Sequence, residues 1–134
     1  MRYLTMNGKL ITNRCGFTLI ELLVVMTIIA TLLAIAYPKY FKSVDHSKES
    51  ALRADLNIMR DALDKYYADT GNYPNALEAL VSKGYLREIP PDPITDSTQS
   101  WVLIPSTEAN HTGIFNIKSG AQGNAFDGKP YSEW

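Results

Sequence analysis

A chain of 134 residues, 46% of them hydrophobic, has room for one small domain and no more. Residues 1–16 hold Arg2, Lys9 and Arg14 and no acid, whereas the remaining 118 carry ten Lys/Arg against fourteen Asp/Glu. A basic start on a mildly acidic body argues against nucleic-acid binding, which needs a positive footprint. It fits a positive-inside anchor whose body lies across a membrane. Cys15 is the single cysteine. It excludes an intrachain disulfide and says nothing about redox compartment.

From Phe17 to Tyr37 the chain reads FTLIELLVVMTIIATLLAIAY, 21 residues with one charge, Glu21. As a helix this stretch is about 31 Å long, enough to cross a hydrocarbon core. A cleavable secretory signal would have a shorter apolar region ending at a small-residue site. Here the run flows on into a helical pattern, and the better cut lies in front of it, after Gly16.

The stretch Gly16-Phe17-Thr18-Leu19-Ile20-Glu21-Leu22 resembles the processing and methylation site of type IV pilins and type II secretion pseudopilins. The likeness continues to Pro38, where that family commonly carries a proline closing the apolar half of the helix. The resemblance implies that a membrane prepilin peptidase cuts between Gly16 and Phe17 on the cytoplasmic side and N-methylates Phe17. Cys15 departs from the basic residue more usual before the glycine, and Arg14 supplies charge nearby. Cleavage removes Cys15 and leaves no thiol.

Glu21 lies about one helical turn from Phe17, so its carboxylate can reach towards the interface. Cleavage creates an amine at Phe17. In a bundle of identical helices that amine can meet the Glu21 of a neighbour, neutralising two groups that lipid disfavours and setting axial register. Glu21 and Pro38 are therefore the expected assembly residues.

Tyr37, Tyr40 and Phe41, beside Lys39 and Lys42, read as interfacial anchors. Pro38 lacks an amide hydrogen and is expected to kink or loosen the helix at Ala34. Beyond it Leu52, Leu56, Met59, Leu63 and Tyr66 form one apolar stripe. Glu49 before Arg53 and Asp61 before Lys65 suit i, i+4 pairs on the other faces. One long helix from Phe17 to about Ala68 is expected, ended by Asp69-Thr70-Gly71-Asn72. A short helix over 75–83 follows, with Asn75 as cap, Glu78 completing a capping box and Gly84 at its C-terminal end. Ile89-Pro90-Pro91-Asp92-Pro93 is an extended or turning linker. Trp101–Ile104 and Ile114–Ile117 are strand candidates joined by nine residues that include Gly113. A two-stranded ribbon is marginal alone, so it must lie on the long helix. The segment from Gly120 to Trp134 is rich in turns, and the Trp134 ring is positioned to pin it.

The fold class is thus α+β and pilin-like. A long helix, transmembrane then amphipathic, carries a short helix and a small antiparallel ribbon. Three segments are expected: a leader over 1–16, a transmembrane and filament-core segment over 17–41, and a globular domain over 42–134. The pattern TGNYP…LEALVSKGYLREIPPDP is further similar to the G-type pseudopilins, the main filament subunits of type II secretion. That resemblance covers roughly residues 14–93 and weakens beyond Pro93. G-type pseudopilins usually finish with an acidic loop that binds calcium. Here only Asp127 and Glu133 are acidic in the final stretch, and for a cation that takes six to eight oxygens they could supply only a weak site, completed by backbone carbonyls. They read as solvated surface acids, no metal ligand is assigned, and calcium is the one cofactor left to test.

No catalytic arrangement is present around His46 and His111, the only histidines, and no glycine-rich phosphate loop follows a strand. The resemblance implies a structural, non-enzymatic subunit of a type II secretion pseudopilus. Its partners would be copies of itself, the prepilin peptidase, other pseudopilins and an inner-membrane assembly platform. It would cross the inner membrane once, with a cytoplasmic N-terminus and a periplasmic domain. A major or minor type IV pilin is the alternative, though many of those close a C-terminal loop with a disulfide. A monomeric membrane-tethered binding domain leaves Gly16, Phe17 and Glu21 unexplained.

Overall fold

The computed structural model describes residues 15–134; residues 1–14, most of the expected leader, lie outside the described residues. Helix α1 (Leu19–Thr70) is followed by α2 (Glu78–Ser82), strands β1 (Val102–Pro105) and β2 (Ile114–Lys118), and a 3-10 turn at Tyr131–Glu133. This is the expected α+β, pilin-like set. The chain divides after Lys39 into two compact units.

Among the described residues of the first unit, α1 is the one regular element. Its hydroxyls are satisfied internally: Thr27 donates to the carbonyl of Leu23 and Thr31 to that of Thr27, both at 2.8 Å. An apolar environment demands this, since it offers no water to an orphaned polar atom. The helix continues through Pro38. The proline withholds one N–H from the carbonyl of Ala34 but does not end the element.

The second unit is built on the expected stripe. Leu52, Leu56, Met59, Ala62 and Leu63 are buried, and they cluster with Leu77, Leu80, Trp101, Ile114 and Ile117. α1 stops where Gly71 turns left-handed at φ 76°, and its N–H closes onto the carbonyl of Tyr67 at 2.8 Å. Asp61 and Lys65 form the expected i, i+4 pair at 2.7 Å. Glu49 and Arg53 do not pair with each other. Glu49 is buried, and both side chains turn to residues more than seventy positions away.

α2 is shorter than expected. Its N-cap is Leu77, with no side-chain capping bond, so the Asn75–Glu78 capping box does not form. Residues 76–77 instead enter through backbone turns, Ala79 N–H to Ala76 and Leu80 N–H to Leu77. The C-terminal end follows the glycine as expected. Gly84 lies at φ 82°, Tyr85 N–H reaches the carbonyl of Leu80 and Gly84 N–H that of Val81, which is a Schellman closure.

β1 begins one residue later than expected and takes in Pro105, because the Trp101 side chain is drawn inward to donate to the carbonyl of Pro90 at 2.8 Å. β1 and β2 pair antiparallel, with a bulge between Ile104 and Pro105. The bulge explains the core. Ile114 and Ile117 stand three apart, which would put them on opposite faces of a regular strand, yet both are buried. Arg60 fastens the ribbon to α1 through Nε to Asn116 Oδ1 (2.9 Å) and a terminal nitrogen to the carbonyl of Ile117 (2.8 Å).

The proline-rich linker is organised by Asp92, which is fully buried. Oδ1 accepts from Ile94 N–H at 2.8 Å and Thr95 N–H at 3.4 Å, and Oδ2 accepts from the Ser119 hydroxyl. Burial, then the charge of Asp92, pushes the nearby Asp55 carboxyl above the usual range.

Two glycines are required by contact. A Cβ at Gly113 would collide with the backbone of Tyr73, and one at Gly120 with the carbonyl of Ser100. Gly113→Ala and Gly120→Ala are each expected to destabilise by about 1–3 kcal/mol. Gly71→Ala, where space is open, should lose only the left-handed backbone cost of about 1–2 kcal/mol. Chemical denaturation of the full chain in detergent measures all three; an unchanged Gly120→Ala midpoint would refute the close approach.

Candidate functional site

The first candidate site is the start of α1. Gly16 has no atom within 4 Å of a Cβ built on it, and Phe17 is 83% exposed. Both flank an open stretch of backbone. Helix begins two residues on, and its first turn is held by a reciprocal pair. Glu21 N–H donates to Thr18 Oγ1 at 3.2 Å, and Thr18 N–H points to Glu21 Oε2 at 3.5 Å. This is a capping box, with Thr18 as cap and Glu21 three residues on. Its signature, Thr-x-x-Glu before an apolar run, stands in the sequence. Glu21 is thus a cap as well as the charge expected from the sequence. The carboxylate therefore has a partner inside its own chain as well as the neighbour expected for it. Pro38 lies roughly 26 Å further along the axis from Glu21 and does not share this site.

Around and between these points the surface of the helix is largely apolar, broken by Thr27 and Thr31. Leu19, Ile20, Leu22, Leu23, Met26 and Leu33 are each more than half exposed. Among the described residues one helix is long and apolar enough to cross a membrane, and none of its most apolar window is buried within the chain.

The second candidate site lies in the globular unit, where the closing segment meets α1. Glu49 Oε1 accepts from Phe126 N–H and from the Tyr131 hydroxyl, both at 2.9 Å. One turn on, Arg53 approaches Asp127 at 3.3 Å and lays its guanidinium 4.0 Å from the centre of the Trp134 ring. The other oxygen of Asp127 accepts from Lys129 N–H at 3.0 Å. Trp134 does pin this segment, with its ring edge-on to Tyr131 at 5.5 Å. His46 stacks on Phe126 at 4.0 Å, and His111 bonds the carbonyl of Gly71 at 3.1 Å. Both histidines serve packing and loop attachment. Asp127 and Glu133 line one cavity of about 440 Å³ with Arg53, Arg60 and Lys129.

The pattern of the prokaryotic N-terminal methylation motif matches residues 11–37, and that of type II secretion system protein G matches residues 39–128. The chain is similar to the type II secretion system core protein G of Pseudomonas aeruginosa, at 35% identity over 83% of this chain and 86% of that protein. Similarity to the core protein G of Klebsiella pneumoniae is 32% over 76% of this chain and 82% of that protein. Competence protein ComGC of Halalkalibacterium halodurans is 30% identical over 55% of this chain and 72% of its own length. No solved structure matches the chain.

Tyr131 falls just beyond the matched stretch, and its expectation rests on geometry alone. Burial, then the hydrogen bond to Glu49, pushes its hydroxyl from 10.0 up to about 12. The stability tied to the protonated hydroxyl is fully present below pH 10 and is lost as pH rises through about 12. Melting temperature should therefore fall over that window, and Tyr131→Phe should flatten the fall, leaving a smaller slope from Tyr73 and Tyr85, which are also raised. An equal slope in both proteins would contradict the buried hydroxyl.

Proposed function

This chain belongs to the family of type II secretion system protein G, and from that premise we propose that it is a repeating structural subunit of a secretion pseudopilus. The family is one of structural subunits rather than enzymes. The observation that carries the proposal is the length of α1 whose large apolar side chains the fold leaves exposed from Leu19 to Ile35. Such a surface needs lipid before assembly and sister helices after it. A filament with a core of packed helices uses one surface for both.

In this reading the chain is anchored by α1, with its basic start on the cytoplasmic side and residues 42–134 across the inner membrane. Prepilin peptidase cuts after Gly16 and methylates Phe17. The remaining partners are further copies, other pseudopilins and the assembly platform. The likeness to a competence protein favours a second reading, a type IV pilin. It covers 55% of the chain against 83% for the secretion protein, so secretion is preferred.

Processing is tested by intact mass of the protein from its native host. Loss of residues 1–16 plus one added methyl group is expected. A mature start after Ala36, or an uncut chain, would sink the assignment of the site.

The role of Glu21 is tested by separating its charge from its cap. Glu21→Ala loses both; insertion into the membrane should be intact, since a charge that costs a few kcal/mol in lipid is gone. Sheared filaments should be lost. Glu21→Gln keeps an acceptor for Thr18 N–H but no charge, and should assemble partially. Thr18→Ala keeps the charge and removes about 1 kcal/mol of capping. It should assemble better than Glu21→Ala. Normal filament yield from Glu21→Ala at normal membrane levels would show that the acid takes no part in assembly.

A further inference from the structure

We infer that the closing segment, residues 119–134, is latched to α1 by protein groups alone, and that the calcium ion implied by the family resemblance has no place in this chain. Glu49 and Arg53 stand four residues apart, one turn of α1, and so present an acid and a base to the same neighbour. The acid takes a backbone N–H and a hydroxyl from residues 126 and 131. The base is held between Asp127 and the face of Trp134.

The donor set does not fit calcium. The ion takes six to eight oxygens at roughly 2.3–2.6 Å, several of them carboxylate. Asp127 already has a cation, Arg53 on one oxygen, and accepts from Lys129 N–H on the other, so a calcium ion there would compete with Arg53 for the same charge. Oε1 of Glu49 holds two donors. The cavity that contains Asp127 and Glu133 also contains Arg53, Arg60 and Lys129, three cations to two anions. A dication placed there would displace Arg53 from its carboxylate and then face the freed guanidinium. Among the described residues no three of the His, Cys, Asp and Glu side chains are grouped to hold a metal.

The two halves of the latch carry unequal weight. Arg53 and Asp127 are both largely solvated, so their ion pair alone adds little; the contact with Trp134 adds stacking. Glu49 is buried, and removing it strands two donors away from water. Chain closure in this subunit is then independent of free calcium.

The test is thermal melting of the full chain in detergent micelles, followed by tryptophan fluorescence. Both tryptophans, Trp101 and Trp134, lie in the globular unit and report on it. The wild-type midpoint should be the same in millimolar calcium and in chelator. Arg53→Ala should lower the midpoint by a few degrees and Glu49→Leu by more, roughly 4–8 °C or beyond. If Glu49→Leu does not fold, Glu49→Gln, which leaves one acceptor oxygen, takes its place and should melt between Glu49→Leu and wild type. A rise of the wild-type midpoint with calcium overturns the inference. So does a wild-type midpoint shared by Arg53→Ala and both Glu49 variants, because the latch would then hold nothing.

Discussion

Everything in the globular unit leans on one strip of α1. Leu52, Leu56, Met59 and Leu63 supply the buried floor. Around them α1 sends out polar tethers: Glu49 and Arg53 to the closing segment, Arg60 to β2, Tyr67 to His111 and Asp69 to the Tyr85 hydroxyl. Neither a five-residue helix nor a two-stranded ribbon is stable in water by itself. Each persists here because it covers this strip. Truncating one such leucine in a packed core costs about 2–5 kcal/mol, a large share of the roughly 5–15 kcal/mol that holds a domain together. The strip therefore has little tolerance for change, whereas the exposed faces of the same turns are free to vary.

The N-terminal length of α1 obeys the opposite rule. Its large apolar side chains are exposed among the described residues, and the hydroxyls of Thr27 and Thr31 are tied back to its own carbonyls. Hydrophobic burial at about 25 cal/mol per Å² is thus deferred to another medium. Lipid and sister helices are nearly equivalent in apolarity. Moving from one to the other costs little, and packing and polar pairing decide the outcome. This suits a subunit that must leave a membrane for a filament, and it puts the burden of specificity on the few polar groups present.

The sequence made the periodic features legible. Both halves of α1, the stripe, the Gly71 and Gly84 closures and the two strands follow from local chemistry that repeats over a few residues. Features made by distant partners were not legible. Glu49 sits four before Arg53 and reads as a surface pair, yet its partners are 77 and 82 positions away. Asp92 lies among prolines, in a stretch whose local pattern shows a linker and no burial. It is buried because Ser119 and two backbone amides complete its shell. Asn75 failed as a cap for a different reason: the chain folds 76–77 into turns first, leaving no helical N–H within its reach. At the candidate site Gly16 and Phe17 were marked by motif, and among the described residues the fold does not single them out: a Cβ on Gly16 would meet open space, and Phe17 is largely exposed. The Thr18–Glu21 box is legible as a Thr-x-x-Glu spacing before an apolar run, and the same carboxylate also poses the question of why a charge stands there.

That question has a fuller answer once the box is included. The first amides of a helix lack intrahelical partners, and in lipid no water replaces them. A threonine followed by an acid three residues on satisfies two of those amides. An acid in the first turn also meets the positive end of the helix dipole. Glu21 would therefore lower the cost of starting a helix inside a membrane even in a lone subunit. The box uses one of the roughly four acceptor positions of a carboxylate, so the capacity to accept from an amine remains, and the cap fixes the direction in which it is offered. A carboxylate held by its own chain loses less freedom on meeting a neighbour than one on a mobile side chain. Desolvation is also met in part before the neighbour arrives. In the proposed assembly, pairing with a neighbour's amine would then need to contribute little net stability to select register, because a neighbour shifted along the axis would leave its own amine facing lipid.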